Sequence, residues 1–317
     1  MTDTQNEVFK TPVNKIRLFE HGAPGSQNLK LTRKYYTEDM PDGRVKHIVQ
    51  NITDPDIVPY IPDGIGNSTD RQRIPAVLII PGGAFRRLVY NFEGEDVAKW
   101  LNSMGIAAFV LECRLPSDEH DNAEDVPLID AMRAMRVIRG RAQEFGIDEA
   151  KIGVMGFSAG GFMVALLSTA YESDVYADYK YKDEYDKLSA RPDFAVCSYP
   201  VISIDDCIEA GKRYMSEEQV LERISDGKAK ILHKYNPDKL VRPDMPPVFI
   251  CETDDDRTTL SENSVGFYMA ARKAGVSAEL HIFRTGGHGY GCGDDFAQTG
   301  EWKVLFTKWI KSIGIIS

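Results

Sequence analysis

Hydrophobic positions along the 317-residue chain fall into two alternating patterns. The apolar runs at 76–80 and 106–111 are unbroken by polar residues, which predicts strands buried on both faces of a sheet. Between them, 95–104 sets Val97, Trp100 and Leu101 on one face at helical spacing. A longer helical window, 129–145, ends at Gly146. Residues 152–155 predict a third buried strand, and 158–171 the helix after it. Strands at 194–199, 248–251 and 280–283, with helices at 263–274 and 301–313, carry the rhythm onward. This alternation predicts an α/β fold with a mostly parallel central sheet and helices on both faces.

Two stretches break the rhythm. The first 70 or so residues are rich in turns, with strand-like runs only at 16–19 and 57–61, which predicts an antiparallel edge on the sheet. Residues from about 205 to 240 are helical and charged, and strand–helix order resumes at Pro246. The expected organisation is therefore one domain over 1–317, with an N-terminal edge segment (1–70) and a small helical cap insertion (205–240).

Composition then narrows the function classes. Hydrophobic residues at 43% and charged residues at 27% are the proportions of a folded globular chain, not of a disordered one. A net charge of −10 argues against a nucleic-acid or anionic-membrane partner, since both need clustered Lys and Arg. The longest apolar runs are too short to span a bilayer. Residues 1–10 carry neither the basic nor the apolar segment of a secretory leader. The cysteines Cys113, Cys197, Cys207, Cys251 and Cys292 form no CxxC pair. Both features predict a reducing, cytoplasmic setting, or a secreted one if a leader has been removed.

Candidate chemistry gathers at the predicted strand ends. Gly156-Phe157-Ser158-Ala159-Gly160 stands where a buried strand passes into a helix. A serine nucleophile raised above a sheet needs such a sharp turn, with small residues two before and two after it. The Ala159 N–H then opens a helix, where partial positive charge can hold an oxyanion. Pro81-Gly82-Gly83-Ala84 follows the first strong strand, and Gly83 or Ala84 would supply a second backbone donor. His288 lies in the loop Gly286-Gly287-His288-Gly289-Tyr290-Gly291, after the strand at 280–283. Three aspartates, Asp254, Asp255 and Asp256, follow the strand at 248–251, and any of them could orient His288. The order Ser, Asp, His is that of an α/β-hydrolase, whose sites sit at the carboxyl ends of the strands.

Other residues invite blander readings. Arg133, Arg136 and Arg139 predict a solvated, salt-bridged helix face. Arg86 and Arg87 are equally readable as substrate contacts or surface charges. Tyr176, Tyr179, Tyr181 and Tyr185 fit either a sugar-pocket rim or an exposed connection. Cys292 is incidental once Ser158 is placed. The histidines show no metal-ligand spacing, so neither metal nor cofactor is expected.

The stretch from Ile79 to Gly161 resembles the bacterial acetylxylan-esterase-like α/β-hydrolases, a group that includes bifunctional acetylxylan and feruloyl esterases. The resemblance is carried by Pro81-Gly82-Gly83, Glu93-Gly94-Glu95, Asp130-Ala131 with Arg133 and Arg136, and Gly156 to Gly161. It continues through Arg191-Pro192-Asp193-Phe194 and Tyr199-Pro200-Val201-Ile202-Ser203, then from Pro246 to Gly291. In these relatives the acid lies eight residues before the serine of the Asn263-Ser264 pair, which selects Asp256. The chain departs from the pattern at Thr259-Leu260, where the family has Val-Pro, at Ala84, where many members have glycine, and at Cys113, where many have tyrosine.

The resemblance implies a serine ester hydrolase with Ser158, His288 and Asp256 as its triad, acting on acetylated xylan fragments or related acylated sugars. A general short-chain carboxylesterase is the alternative. A serine peptidase and a catalytically silent binding protein fit less well, because the segment before the core is too short for a propeller and no triad member is missing. Oligomeric state is not legible from the chain.

Overall fold

In the computed structural model, the unbroken apolar runs form the middle of an eight-stranded sheet. Residues 9, 13–65, 73–213, 216, 218–219, 229–293 and 298–317 are described. The strands are β1 (Ile16–Arg17), β4 (Asp56–Tyr60), β5 (Ile74–Ile80), β7 (Ala107–Glu112), β8 (Ile147–Phe157), β9 (Ala195–Ser198), β10 (Val248–Thr253) and β11 (Ala278–Phe283). Their order across the sheet is β1-β4-β7-β5-β8-β9-β10-β11. From β7 to β11 all pairings are parallel. β4 pairs antiparallel with β7, and β1 with β4, as the N-terminal segment predicts. The chain steps from β5 to β7 on one side and then to β8 on the other. Their carboxyl ends therefore flank a topological switch point, where open α/β sheets bind ligands.

Alternating side chains of one strand point to opposite faces, and β7 shows what each face meets. Phe109 packs on Phe145, 4.9 Å between ring centres, at the end of the helix pair α2 (Val126–Gly140) and α3 (Ala142–Phe145). Val110 abuts Gly94, just before α1 (Asp96–Ser103). On the α1 side, Trp100 meets Trp302 and Phe306 of α8 (Trp302–Ser312), the last helix. The remaining helices are α4 (Ala159–Ala170), α5 (Ile204–Lys212), α6 (Ala229–Lys234) and α7 (Ser261–Lys273).

Several boundaries differ from the sequence expectation. The helix expected over 129–145 begins at Val126, because Pro127 is tolerated in a first helical turn where its missing N–H is not needed. It breaks at Arg141 and restarts as α3, which Gly146 stops in the left-handed region (φ 67°). The strand expected over 16–19 covers only Ile16–Arg17. A second, three-stranded sheet was not expected. It comprises β2 (Lys34–Asp39), β3 (Val45–Gln50) and β6 (Leu88–Val89), all antiparallel. In the region of the expected cap, α5 and α6 are helical, while 214–215, 217 and 220–228 lie outside the described residues.

The arginine row on α2 corrects another expectation. It is salt-bridged but largely covered: Arg136 and Arg139 are half-buried, and Arg133 is 4% exposed and donates to Asp183, Asp186 and the Leu18 carbonyl. Arg136 donates to the Tyr176 hydroxyl and the Leu188 carbonyl, and Arg139 to Asp193 and the Arg191 carbonyl. The segment of interleaved tyrosines is thereby clamped against α2, and Tyr176 is buried. Among the described residues, no helix is long and apolar enough to cross a membrane.

Candidate active site

β8 is fully buried from Ile152 to Phe157 and passes into α4 through Ser158, whose backbone sits at φ 53°, ψ −118°. A positive φ in a residue with a Cβ is strained and persists only where its surroundings enforce it. The glycines around it explain how the turn fits. A Cβ at Gly160 would lie 2.0 Å from the Ile80 carbonyl oxygen, and one at Gly156 would lie 2.3 Å from the Gly160 carbonyl oxygen. The first turn of α4 is thus pressed against the end of β5 at a distance only glycine permits.

Ser158 Oγ lies 2.9 Å from His288 Nε2, and His288 Nδ1 lies 2.6 Å from Asp256 Oδ2. Asp256 is 2% exposed. Its Oδ1 accepts the Thr258 and Thr259 N–H groups at 2.7 and 2.9 Å, and its Oδ2 accepts the Thr259 hydroxyl at 2.9 Å. Burial alone would push this carboxyl upward. The bond to His288 and the imidazole's charge, then the two backbone N–H groups, outweigh burial and hold it below the ordinary aspartate value. Glu252, also fully buried, is driven well above the ordinary glutamate range by burial and then by the neighbouring Asp256 charge.

The two other candidate aspartates sit elsewhere. Asp255 Oδ1 accepts the N–H groups of Gly286 and Gly287 at 2.9 and 2.8 Å, so it braces the loop that carries His288. Asp254 is exposed, with its backbone N–H on the Phe283 carbonyl.

The loop after β5 folds over Ser158. Gly83 (φ 137°), Ala84 (φ 57°) and Phe85 (φ 59°) are three successive residues at positive φ. The Gly83 carbonyl accepts the N–H groups of Arg86 and Arg87, and the Gly82 carbonyl accepts that of Val89. A Cβ at Gly82 would lie 2.4 Å from the Phe157 carbonyl oxygen and 2.9 Å from Ser158 Cβ. The N–H groups of Gly83, Ala84 and Ala159 have no hydrogen-bond acceptor among the described residues. Arg87, one of the two arginines left open by the sequence, forms an ion pair with Glu38 on β2.

Three further residues belong to the site, and the sequence assigns none of them a role. Thr259 touches Asp256 and approaches His288 Nδ1 at 3.3 Å. Glu93 accepts the Gly82 N–H, and Tyr199 donates to Glu93. Tyr199 and Glu93 are marked in the sequence only by the elements Tyr199-Pro200-Val201-Ile202-Ser203 and Glu93-Gly94-Glu95 that carry the resemblance, which assign neither of them a role. Cys113, Cys197, Cys251 and Cys292 are buried and form no disulfide with one another. No group of three or more His, Cys, Asp or Glu side chains among the described residues is arranged to hold a metal ion.

Residues 65–270 match the BD-FAE family model. An acetylxylan esterase from Xylanibacter ruminicola is 31% identical over 240 residues, 75% of this chain and 45% of that protein. Endo-1,4-beta-xylanase B of Butyrivibrio fibrisolvens is 31% identical over 227 residues, 71% of this chain and 34% of that protein. The chain thus spans less than half the length of these curated relatives. Among solved structures, an acetyl ester-xyloside bifunctional hydrolase from Caldicellulosiruptor lactoaceticus is 35% identical, with a TM-score of 0.71 over 96% of this chain and 97% of that one. A carboxylesterase from Lactobacillus plantarum shares the fold at 21% identity, with a TM-score of 0.67 over 90% of this chain and 99% of that one. The chain belongs to the BD-FAE family and is an acetylxylan-esterase-like α/β-hydrolase.

Proposed function

We propose that this protein is a serine carboxyl-ester hydrolase acting as one α/β-hydrolase domain with a helical cap, and that Ser158, His288 and Asp256 are its triad. The observation that carries this reading is the continuous line from Ser158 Oγ through His288 to Asp256, with steps of 2.9 and 2.6 Å. Ser158 Oγ attacks the ester carbonyl while His288 Nε2 takes its proton. The same nitrogen later gives that proton to the leaving alcohol, and Asp256 keeps His288 in the required tautomer and stabilises the imidazolium. The Ala159 N–H and that of Gly83 or Ala84 receive the negative charge of the tetrahedral intermediate. Losing one such donor typically costs ~10²–10³ in rate. Water then cleaves the acyl-enzyme by the same route in reverse order.

The substrate in this reading is an acylated sugar, foremost acetylated xylo-oligosaccharides. The relative from X. ruminicola, named an acetylxylan esterase, and that from C. lactoaceticus, named an acetyl ester-xyloside hydrolase, support this choice. A neutral sugar ester also suits a chain of net charge −10, because it needs no basic patch to attract it. The test is to incubate the protein and Ser158→Ala with acetylated xylo-oligosaccharides, 4-nitrophenyl acetate and a peptide amide. Acetate release from the oligosaccharides by the unmutated protein alone is the expected result. No ester turnover would overturn the esterase reading, and equal turnover by the variant would overturn the role of Ser158.

A further inference from the structure

We propose that Glu93 is a positioning residue that ties the loop after β5 to the loop carrying His288, holding the backbone donors and the imidazole at a fixed separation. The inference rests on the esterase reading, since it assigns Glu93 a task in that reaction.

Glu93 lies in a π-helical turn (Asn91–Glu95) immediately before α1, an irregularity often found at functional sites. It is 4% exposed, and both its carboxylate oxygens are engaged. Oε2 accepts the Gly82 N–H at 2.8 Å, one residue before the candidate donors Gly83 and Ala84. Oε1 accepts the Tyr199 hydroxyl at 2.9 Å, and the oxygen of that hydroxyl accepts the Gly291 N–H at 3.1 Å. Gly291 stands three residues after His288. The Tyr199 ring also packs edge-on against the His288 ring, with centroids 5.0 Å apart at 67°, and against Tyr290 at 4.5 Å. One side chain therefore links two loops that lie about 200 residues apart in the chain, by way of one tyrosine.

The energetics favour a positioning role over a purely structural one. A buried carboxylate carries a desolvation penalty that an apolar side chain of similar volume would avoid. Hydrogen bonds from Gly82 and Tyr199 offset part of that penalty, but a filled apolar pocket would stabilise the same turn without it. What an apolar side chain would not supply is a rigid acceptor for two loops at once. In a reaction where a misplacement of about 1 Å can cost roughly 100-fold in rate, that tie has a catalytic consequence.

The test compares the unmutated protein with Glu93→Gln and Tyr199→Phe. Steady-state kinetics on 4-nitrophenyl acetate are expected to show kcat lower by about 10- to 100-fold in Glu93→Gln and about 10-fold in Tyr199→Phe, with KM within about threefold. Peptide-level hydrogen exchange is expected to speed up together in 81–86 and 286–293 in both variants, while 152–157 is unchanged. The decisive arm is Tyr199→Phe. Its side chain does not hydrogen-bond the 81–86 loop directly, so faster exchange there means that the tie runs through Glu93. Exchange that rises only in 286–293, or kcat within twofold of the unmutated value in both variants, would overturn the proposal. If Glu93→Gln fails to fold, Tyr199→Phe still decides it. If the unmutated protein hydrolyses no ester, the esterase reading fails, and the exchange pattern shows separately whether the two loops are coupled.

Discussion

Asp255 and Asp256 are neighbours in sequence and serve the His288 loop from different sides: Asp256 Oδ2 lies 2.6 Å from His288 Nδ1, whereas Asp255 Oδ1 accepts the Gly286 and Gly287 N–H groups. The two carboxylates should therefore differ sharply under the same substitution. Asp256→Asn presents an amide where a carboxylate must accept the Nδ1 proton, favouring the wrong imidazole tautomer, and kcat on 4-nitrophenyl acetate should fall by ~10³–10⁴. Asp255→Asn keeps one carbonyl oxygen for the two glycine N–H groups, and its kcat should fall by roughly 10-fold at most. A reversed order of these losses would identify Asp255 as the partner of His288.

Thr259, where the chain departs from the pattern of the family it resembles, donates its hydroxyl to Asp256 Oδ2 at 2.9 Å. A hydrogen bond to a charged group contributes about 1.5–3 kcal/mol, so Thr259→Val should lower kcat/KM by about 10- to 100-fold. In the proposed mechanism Asp256 acts in its ionised form, and His288 together with surrounding donors holds its pKa low against burial. Removing one donor raises that pKa, so activity in the variant should be lost at a higher pH as the solution is acidified. Superimposable acid limbs of kcat/KM for the two proteins would show that the hydroxyl plays no part.

The turn into α4 makes a prediction about stability rather than rate. Gly160→Ala would drive a Cβ to within 2.0 Å of the Ile80 carbonyl oxygen, which is backbone and does not step aside easily. The variant should lose about 3 kcal/mol, read as a lower midpoint in thermal or urea unfolding. Gly266→Ala provides the contrast. That glycine is exposed within α7, with nothing within 4 Å of its would-be Cβ, and the change should stabilise by about 0.5–1 kcal/mol through helix propensity. Equal effects at the two positions would mean that the close packing of the elbow is not what glycine serves there.

These glycines also show why part of the fold and site was legible in the sequence. A strained serine turn demands small residues at fixed offsets, and an unbroken apolar run demands a covered strand, so local physics writes both into the chain. The β2–β3 hairpin escaped because its strands are half-exposed and polar, as in Lys34-Tyr35-Tyr36-Thr37-Glu38-Asp39. Its one signal was Pro41-Asp42-Gly43, with Gly43 at φ 86°. The burial of the α2 arginines is not legible in the sequence for a related reason. Their spacing shows that they share a face, but only the packing of 176–193 onto that face shows that it is buried. Glu93 and Tyr199 pair across more than a hundred residues, and no local pattern encodes such a contact. Among three consecutive aspartates, composition made no choice, and only the resemblance to relatives favoured Asp256.

His120 should make the protein acid-labile. The side chain is 5% exposed, its Nδ1 lies 3.1 Å from the Ser26 hydroxyl, and its Nε2 has no partner among the described residues. Arg114 donates to the same hydroxyl at 2.8 Å, so the serine proton is free to point at Nδ1, which places the imidazole hydrogen on the orphaned Nε2. Burial, and then the Arg114 charge, push its pKa from 6.5 down to about 4. The unfolded chain therefore binds a proton at this residue that the folded chain refuses, and stability falls as pH drops through the unfolded value towards the folded one. Between neutral pH and about pH 5 this single residue should cost about 1–2 kcal/mol. His120→Phe keeps the ring and removes the titration, so urea midpoints of the variant should change less across that interval than those of the unmutated protein. The same decline in both proteins would assign the acid sensitivity to other groups.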